Sequence, residues 1–376
     1  MKKALTNAQI LTGGAWQNQA ALLIDGDHIE KVVADSEIPP GYEIEDLAGG
    51  RLLPGFIDVQ VNGGGGMMLN DARSVADIAM IARAHRRFGT TGLLPTLITD
   101  DWARMTETAA LIRGAMADGL PGLLGVHFEG PYLNPARKGV HDEAKIRRLD
   151  EKFVELVTAG DLGRVVVTLA PERVPMDVIR ELAAKGVIVS AGHSAATYDE
   201  AVAAFEAGIT GITHLYNGMP PMQSREPGLV GAALLSSGCY CGIINDGHHV
   251  HPATLKAALT IKGPARMMLV TDAMASVGTE MISFRLGETE IRIDGGRLTT
   301  ADGTLAGSNL NMAGAVRNAV ALLGLPLAEA AGLATENPAA FLGLDQTHGR
   351  IAPGFRADLV LMDGDLRLLK SWIGGV

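Results

Sequence analysis

Two cysteines, Cys239 and Cys241, are too few and too close for a disulfide framework. A bridge across one intervening residue is strained, and the pair lacks the further ligands of a cysteine zinc site. Both are therefore expected to be buried apolar side chains. Aromatic residues are only 4% of the chain, so the core must be assembled from Ala, Leu, Val, Ile and Met, and the hydrophobic content of 47% supplies them. No apolar run approaches the roughly 18 residues of a membrane span, and residues 1–14 hold too brief an apolar stretch for a secretory signal. A cytoplasmic protein with no membrane partner is expected. Excess positive charge is missing as well: a formal net charge of −10 offers no broad attraction to nucleic acid or an anionic membrane. An anionic substrate would need a local basic pocket.

At 376 residues the chain suits one large barrel with an appendage, or two to three ordinary domains. The first fifty residues read as strands and turns, with Ala21 to Ile24 and Ile29 to Val33 flanking an Asp25-Gly26-Asp27 turn in a hairpin pattern. A second β-like piece closes the chain, where Gly349 to Gly354 lead into Ala357 to Met362. Residues 1–53 and 349–376 are accordingly expected to form one small β domain enclosing a middle unit, residues 54–348. That unit contains eight short apolar runs, each followed by helical spacing: Phe56 to Val61, Gly92 to Leu97, Leu123 to Phe128, Val165 to Leu169, Val187 to Ser190, Ile209 to Thr213, Tyr240 to Ile244 and Met267 to Val270. Such runs suit parallel strands buried on both faces. Ile78, Ile81, Ala82 and His85 illustrate the helical spacing, as do Val202 and Phe205. Eight repeats predict an α/β fold, a (β/α)8 TIM-like barrel, with a doubly wound open sheet as the alternative. Ser283 to Leu298, turning at Asp294-Gly295-Gly296, reads as a hairpin inserted after the eighth strand.

Polar residues gather at the ends of these runs: Asp58, Gln60 and Asn62 on the first, then Glu129, His193, His214, Asp246 and Asp272. In a barrel such positions converge on one mouth, where active sites of this fold are built. Glu129, His193 and His214 combine one carboxylate with two imidazoles, a set suited to zinc or a similar divalent ion with a position left for water. Asp272 is placed to take a proton from that water and return it, although an aspartate there also suits a helix N-cap. A lone histidine at a strand end is usually structural; two of them with Glu129 and Asp272 at equivalent ends favour a site. Asp58 equally suits a structural hydrogen bond. Three histidines in Asp246 to His251 suggest a second metal site, but neighbouring side chains on a strand alternate in direction and rarely meet at one ion. Gly63 to Gly66 lack the lysine and spacing of a nucleotide loop and read as a barrel rim.

Pro54-Gly55-Phe56-Ile57-Asp58 and the closing Gly349-Arg350-Ile351 with Ala357 to Val360 resemble the opening and ending of amidohydrolase-superfamily enzymes. Within that superfamily, His127 to Asn134, Gly139-Val140-His141, Ala191 to Ser194, Thr213 to Met219 and Thr271-Asp272-Ala273 resemble the N-acetylglucosamine-6-phosphate deacetylase family over essentially the whole chain. The resemblance implies a barrel with a small β-sandwich from both chain ends, and one divalent metal ion per subunit, with zinc the expected metal. Glu129, His193 and His214 become its ligands, Asp272 the catalytic acid/base, and His141 the group that polarises the acetyl carbonyl. Val140, His141, Asn217, Gly218, Arg225 and His249 would hold the phosphorylated amino sugar, with Leu305, Ala306 and Gly307 lining its pocket. Family members are commonly homodimers in which the arginine and histidine reach the neighbouring site. Where the wider superfamily carries His-x-His ligands for a second metal, this chain has Gln60 and Asn62, which predicts a single ion. Other amidohydrolase substrates, a related N-acetyl hexosamine phosphate among them, stay open as alternatives. A catalytically silent binding barrel is the reading from a different class.

Overall fold

The computed structural model describes residues 2–376. Five strands come first: β1 (Lys2–Thr12), β2 (Ala15–Asp25), β3 (His28–Ala34), β4 (Glu43–Asp46) and β5 (Arg51–Pro54). The predicted β2–β3 hairpin is present, with Asp25 facing His28 across a two-residue turn in which Gly26 adopts φ +62°.

The middle of the chain supplies β6 (Phe56–Val61), a short ribbon of β7 (Gly63–Gly64) and β8 (Met67–Met68), and then β9 (Thr90–Ile98), β10 (Gly125–Glu129), β11 (Arg164–Leu169), β12 (Ile188–Ala191), β13 (Ile209–Ile212), β14 (Tyr240–Ile243) and β15 (Met267–Leu269). Apart from the ribbon these form one eight-stranded sheet, β6-β9-β10-β11-β12-β13-β14-β15, with every neighbouring pair parallel. Its strands are buried almost throughout because helices cover the outer face and side chains fill the centre.

The two edge strands meet. Val61 bridges Ala273, and Asp272 N–H donates to Gln60 O at 3.0 Å. Asp58, whose role stayed open above, ties this seam: its carboxylate accepts from the Thr271 hydroxyl at 2.5 Å and from the Gln60 N–H at 3.1 Å. The open-sheet alternative fails at this junction, since an open sheet has no contact between its first and last strands.

Helix Val75–Arg86 starts at a Ser74–Asp77 capping box and buries Ile78, Ile81, Ala82 and His85, as their spacing predicts. Helix Tyr198–Ala207 differs in its buried face, which is the row Ala201, Ala204 and Ala207, while Val202 and Phe205 are half-buried. Small side chains let that helix approach the barrel closely, and the larger ones cover its flanks.

The insertion is a three-stranded meander rather than a hairpin: β16 (Ser283–Leu286), β17 (Thr289–Asp294) and β18 (Arg297–Thr299). Gly287 at φ +56° makes the extra turn. Phe284, Ile291 and Leu298 pack with Met68, Met274 and Ala306, which anchors the meander to the barrel mouth.

The last strands, β19 (Leu359–Met362) and β20 (Leu368–Trp372), return to the beginning, with β19 antiparallel to β5. The sheet β20-β19-β5-β1-β2-β3, with β4 also on β1, curls so that His28 of the edge strand β3 bridges Arg356, just before β19. Inside lies a separate core that includes Leu5, Ile10, Leu22, Ile24, Leu52, Leu359 and Trp372. Each such side chain contributes roughly 1.5–3 kcal/mol on burial. Cys239 and Cys241 are buried and free, as expected. No helix among the described residues is long and apolar enough to cross a membrane.

Candidate active site

Glu129 is the last residue of β10, whereas His193, His214 and Asp272 lie just past the ends of β12, β13 and β15. The last three adopt left-handed backbone, with φ of 47°, 33° and 52°. Such a conformation costs a non-glycine residue on the order of 1–3 kcal/mol and is held only where the surroundings impose it. Its effect is to turn three side chains from the strand direction toward the barrel axis.

There Glu129 Oε1 stands 2.9 Å from His214 Nε2 and 3.2 Å from His193 Nε2, and the two ring nitrogens are 3.0 Å apart. His193 Nδ1–H donates to the Arg137 carbonyl at 2.8 Å, which leaves a lone pair on Nε2 facing the carboxylate. Gly218, at φ +63°, makes room for that ring, since a Cβ there would lie 2.8 Å from His193 Nδ1. Facing lone pairs at about 3 Å repel, so a positive charge belongs among them. The donor set and the size of the triangle suit an ion bound at roughly 2.0–2.1 Å from each atom. Burial drives the Glu129 carboxyl up, yet the close approach of the His193 and His214 rings holds it well below the usual carboxylate range.

Asp272 sits beside the triangle, with Asn62 Nδ2 donating to its Oδ1 at 2.7 Å. Gln60 Nε2 donates to the same oxygen at 3.2 Å and to Glu129 Oε2 at 3.2 Å. Gln60 thus links Asp272 to Glu129, while Asn62 holds Asp272 alone of the two carboxylates. Burial, with the Glu129 charge adding to it, raises the Asp272 carboxyl above its ordinary value. His141 Nε2 lies 4.0 Å from Glu129 Oε1, and burial beside His193 lowers the ring to about 3.

These groups line a cavity of about 250 Å³, with Val140, Asn217, Gly218, His249, Leu305 and Gly307 on its walls. A larger depression, about 1180 Å³, opens beside it between the meander and the rim and shares Ile98, Gly139, Val140, His141 and Thr304. Glu129, His193, His214 and Asp272 line the smaller one. Two sequence-predicted residues are elsewhere: Ala306 is buried against Met274 and Phe284, and Arg225 is exposed on a loop outside the cavity. His249 Nδ1 is held by Asp246 Oδ2 at 2.6 Å, while His248 and His251 are exposed. Ile98, Thr99 and Met274 join the site without having stood out in the sequence. Ile98 and Met274 line the cavity, and Thr99 contacts His141. Thr99 had one available signal, as the polar residue that ends the second barrel strand.

The sequence matches the Amidohydrolase family model over residues 51–375 and the NagA composite domain model over residues 4–52. It is 46% identical over 329 residues to the N-acetylgalactosamine-6-phosphate deacetylase of Shewanella sp. (strain ANA-3), covering 88% of this chain and 83% of that one. It is 35% identical to the N-acetylglucosamine-6-phosphate deacetylase of Haemophilus influenzae, covering 100% and 99%. Among solved structures, the N-acetylglucosamine-6-phosphate deacetylase of Pasteurella multocida superposes with a TM-score of 0.96 at 36% identity, covering 100% and 99%. A mutant of the Mycobacterium smegmatis enzyme in complex with N-acetyl-D-glucosamine-6-phosphate gives 0.92 at 35% identity, covering 100% and 98%.

Proposed function

Because the chain belongs to the amidohydrolase family, in the group of the N-acetyl hexosamine-6-phosphate deacetylases, we propose that it hydrolyses N-acetylglucosamine-6-phosphate to glucosamine-6-phosphate and acetate in amino-sugar catabolism. The observation that carries this reading is the convergence of Glu129, His193 and His214 beside Asp272 at one barrel mouth. We assign the three as ligands of a single divalent ion, zinc by the donor set. Bound there, the ion would polarise the amide carbonyl and lower the pKa of a water to about 7.

The chain's own groups do the rest. Gln60 and Asn62 occupy Asp272 Oδ1, so Oδ2 is the oxygen that takes the proton of the attacking water. The same carboxyl hands the proton to the leaving nitrogen as the C–N bond breaks. His141 donates toward the carbonyl oxygen, where negative charge develops. Val140, Asn217, Gly218, Leu305 and Gly307 enclose the sugar, and His249, held by Asp246, meets its phosphate. Arg225, exposed on its loop, suits the cavity of a second copy in a cytoplasmic homodimer. We also divide the chain into a barrel, residues 54–348, and a sheet domain, residues 1–53 with 349–376.

The galactosamine epimer is a second reading, favoured by the 46% identical Shewanella relative. Acetate release from both epimers, with and without the 6-phosphate, is the test, run on protein of measured metal content. Release that requires the phosphate supports the reading, and the epimer with the higher kcat/KM is the substrate. A metal-loaded protein that deacetylates neither epimer overturns it.

A further inference from the structure

Thr99 follows directly on β9, a barrel strand to which no chemistry has been assigned, and it is buried. Its main-chain N–H donates to His141 Nδ1 at 3.3 Å, and its hydroxyl lies 2.7 Å from the same nitrogen. A main-chain N–H donates and never accepts, so Nδ1 must be the acceptor, and an accepting ring nitrogen carries no proton. The single proton of a neutral imidazole then sits on Nε2. That is the atom nearest the cation locus, 4.0 Å from Glu129 Oε1, on a ring packed edge to face with His193 at 4.4 Å between centroids.

We propose that Thr99 is a positioning residue that fixes His141 as the neutral tautomer protonated at Nε2, so that His141 meets the substrate only as a hydrogen-bond donor. The proposal rests on the deacetylase reading and deepens it by dividing the labour. A ring whose Nε2 always bears hydrogen has no lone pair with which to deprotonate water. Proton transfer is left to Asp272, and His141 is a fixed donor aimed where an oxyanion forms. The same logic operates with opposite result at His193, whose Nδ1 donates to the Arg137 carbonyl and whose Nε2 is therefore a lone pair. Two rings at one mouth thus receive opposite tautomers from different partners, the Thr99 hydroxyl backed by its main-chain N–H for His141 and the Arg137 carbonyl for His193.

The test is nitrogen-15 NMR of histidine-labelled, zinc-loaded full-length protein at neutral pH, with the His141 signals identified by their loss in His141→Gln. The expected spectrum shows a bare Nδ1 and a protonated Nε2. Thr99→Ser keeps both donors and should leave spectrum and kinetics unchanged. Thr99→Val removes the hydroxyl, the shorter contact to Nδ1 at 2.7 Å, and leaves the ring to the main-chain N–H at 3.3 Å alone; kcat should fall about ten- to a hundred-fold, the usual cost of an orienting partner, with KM changed less than about two-fold and part of the ring population protonated at Nδ1. A wild-type His141 protonated at Nδ1, or a valine variant that matches wild type in kcat and spectrum, overturns the proposal. Protein with the expected spectrum but no deacetylase activity would instead defeat the functional reading and leave the tautomer assignment standing.

Discussion

Two histidine-bearing regions of this chain behave in opposite ways. His248, His249 and His251 are almost adjacent in sequence, yet they scatter: two are exposed and the third is held by Asp246. His193 and His214 lie on separate strands with Glu129 on a third, yet three of their atoms meet within 4.8 Å. Nearness along the chain places successive side chains on different sides, whereas a closed barrel delivers every strand end to one point. A ligand set is therefore a property of the ring closure.

The sharpest way to break this contrast is to remove one histidine from each region. His193→Ala or His214→Ala should abolish metal retention and with it turnover, read by metal analysis and acetate release. His248→Ala and His251→Ala should leave both within about two-fold, as exposed substitutions usually do. Retained metal in the first pair, or lost metal in the second, would invert the contrast. Next in size is Asp272→Asn, which keeps the triangle but removes the proposed proton carrier; kcat should drop about 10²–10⁴-fold at unchanged metal content.

Within the local region, Asp246→Asn tests whether His249 is a positioned group. KM for the phosphorylated sugar should rise about ten-fold with kcat nearly unchanged, while the unphosphorylated sugar is unaffected. The smallest effect concerns His85, a buried histidine that neither region uses. Burial, only partly offset by its hydrogen bond to the Gly63 carbonyl, lowers its ring to about 4 from the usual 6.5. The native ring then refuses a proton that the unfolded chain accepts. Its stability contribution is complete above about pH 6.5 and is lost as the pH falls toward about 4. Between pH 7 and pH 5, denaturant unfolding of wild type should lose about 2 kcal/mol more than that of His85→Gln. Equal losses would show that His85 does not titrate this way.

Much of the fold was legible because its signals are local. Apolar runs with helical spacing between them announce a barrel, and the helix Val75–Arg86 buries the face its spacing indicated. Local signals failed where packing decides. The helix Tyr198–Ala207 turns its alanines inward because the barrel surface is close there, a fact about its neighbour. Gly287 reads as a turn only once β16 and β17 are known to pair. Asp58 was visible at a strand end but its role was not, since its partner Thr271 is 213 residues away across the seam. Arg225 belonged to the substrate set by resemblance, yet its loop holds it outside this chain's own cavity.

By itself the sequence determined the alternation of strand and helix and the placing of Glu129, His193, His214 and Asp272 at strand ends, because hydrophobic periodicity and the positions where it stops are written in neighbouring residues. Only the tertiary structure decided which atom of each side chain faces inward. His193 is aimed by its left-handed backbone and by a carbonyl 56 residues away, and His141 by a threonine 42 residues away. A ring nitrogen becomes donor or acceptor through the partner that reaches it, and those partners arrive only when the barrel closes.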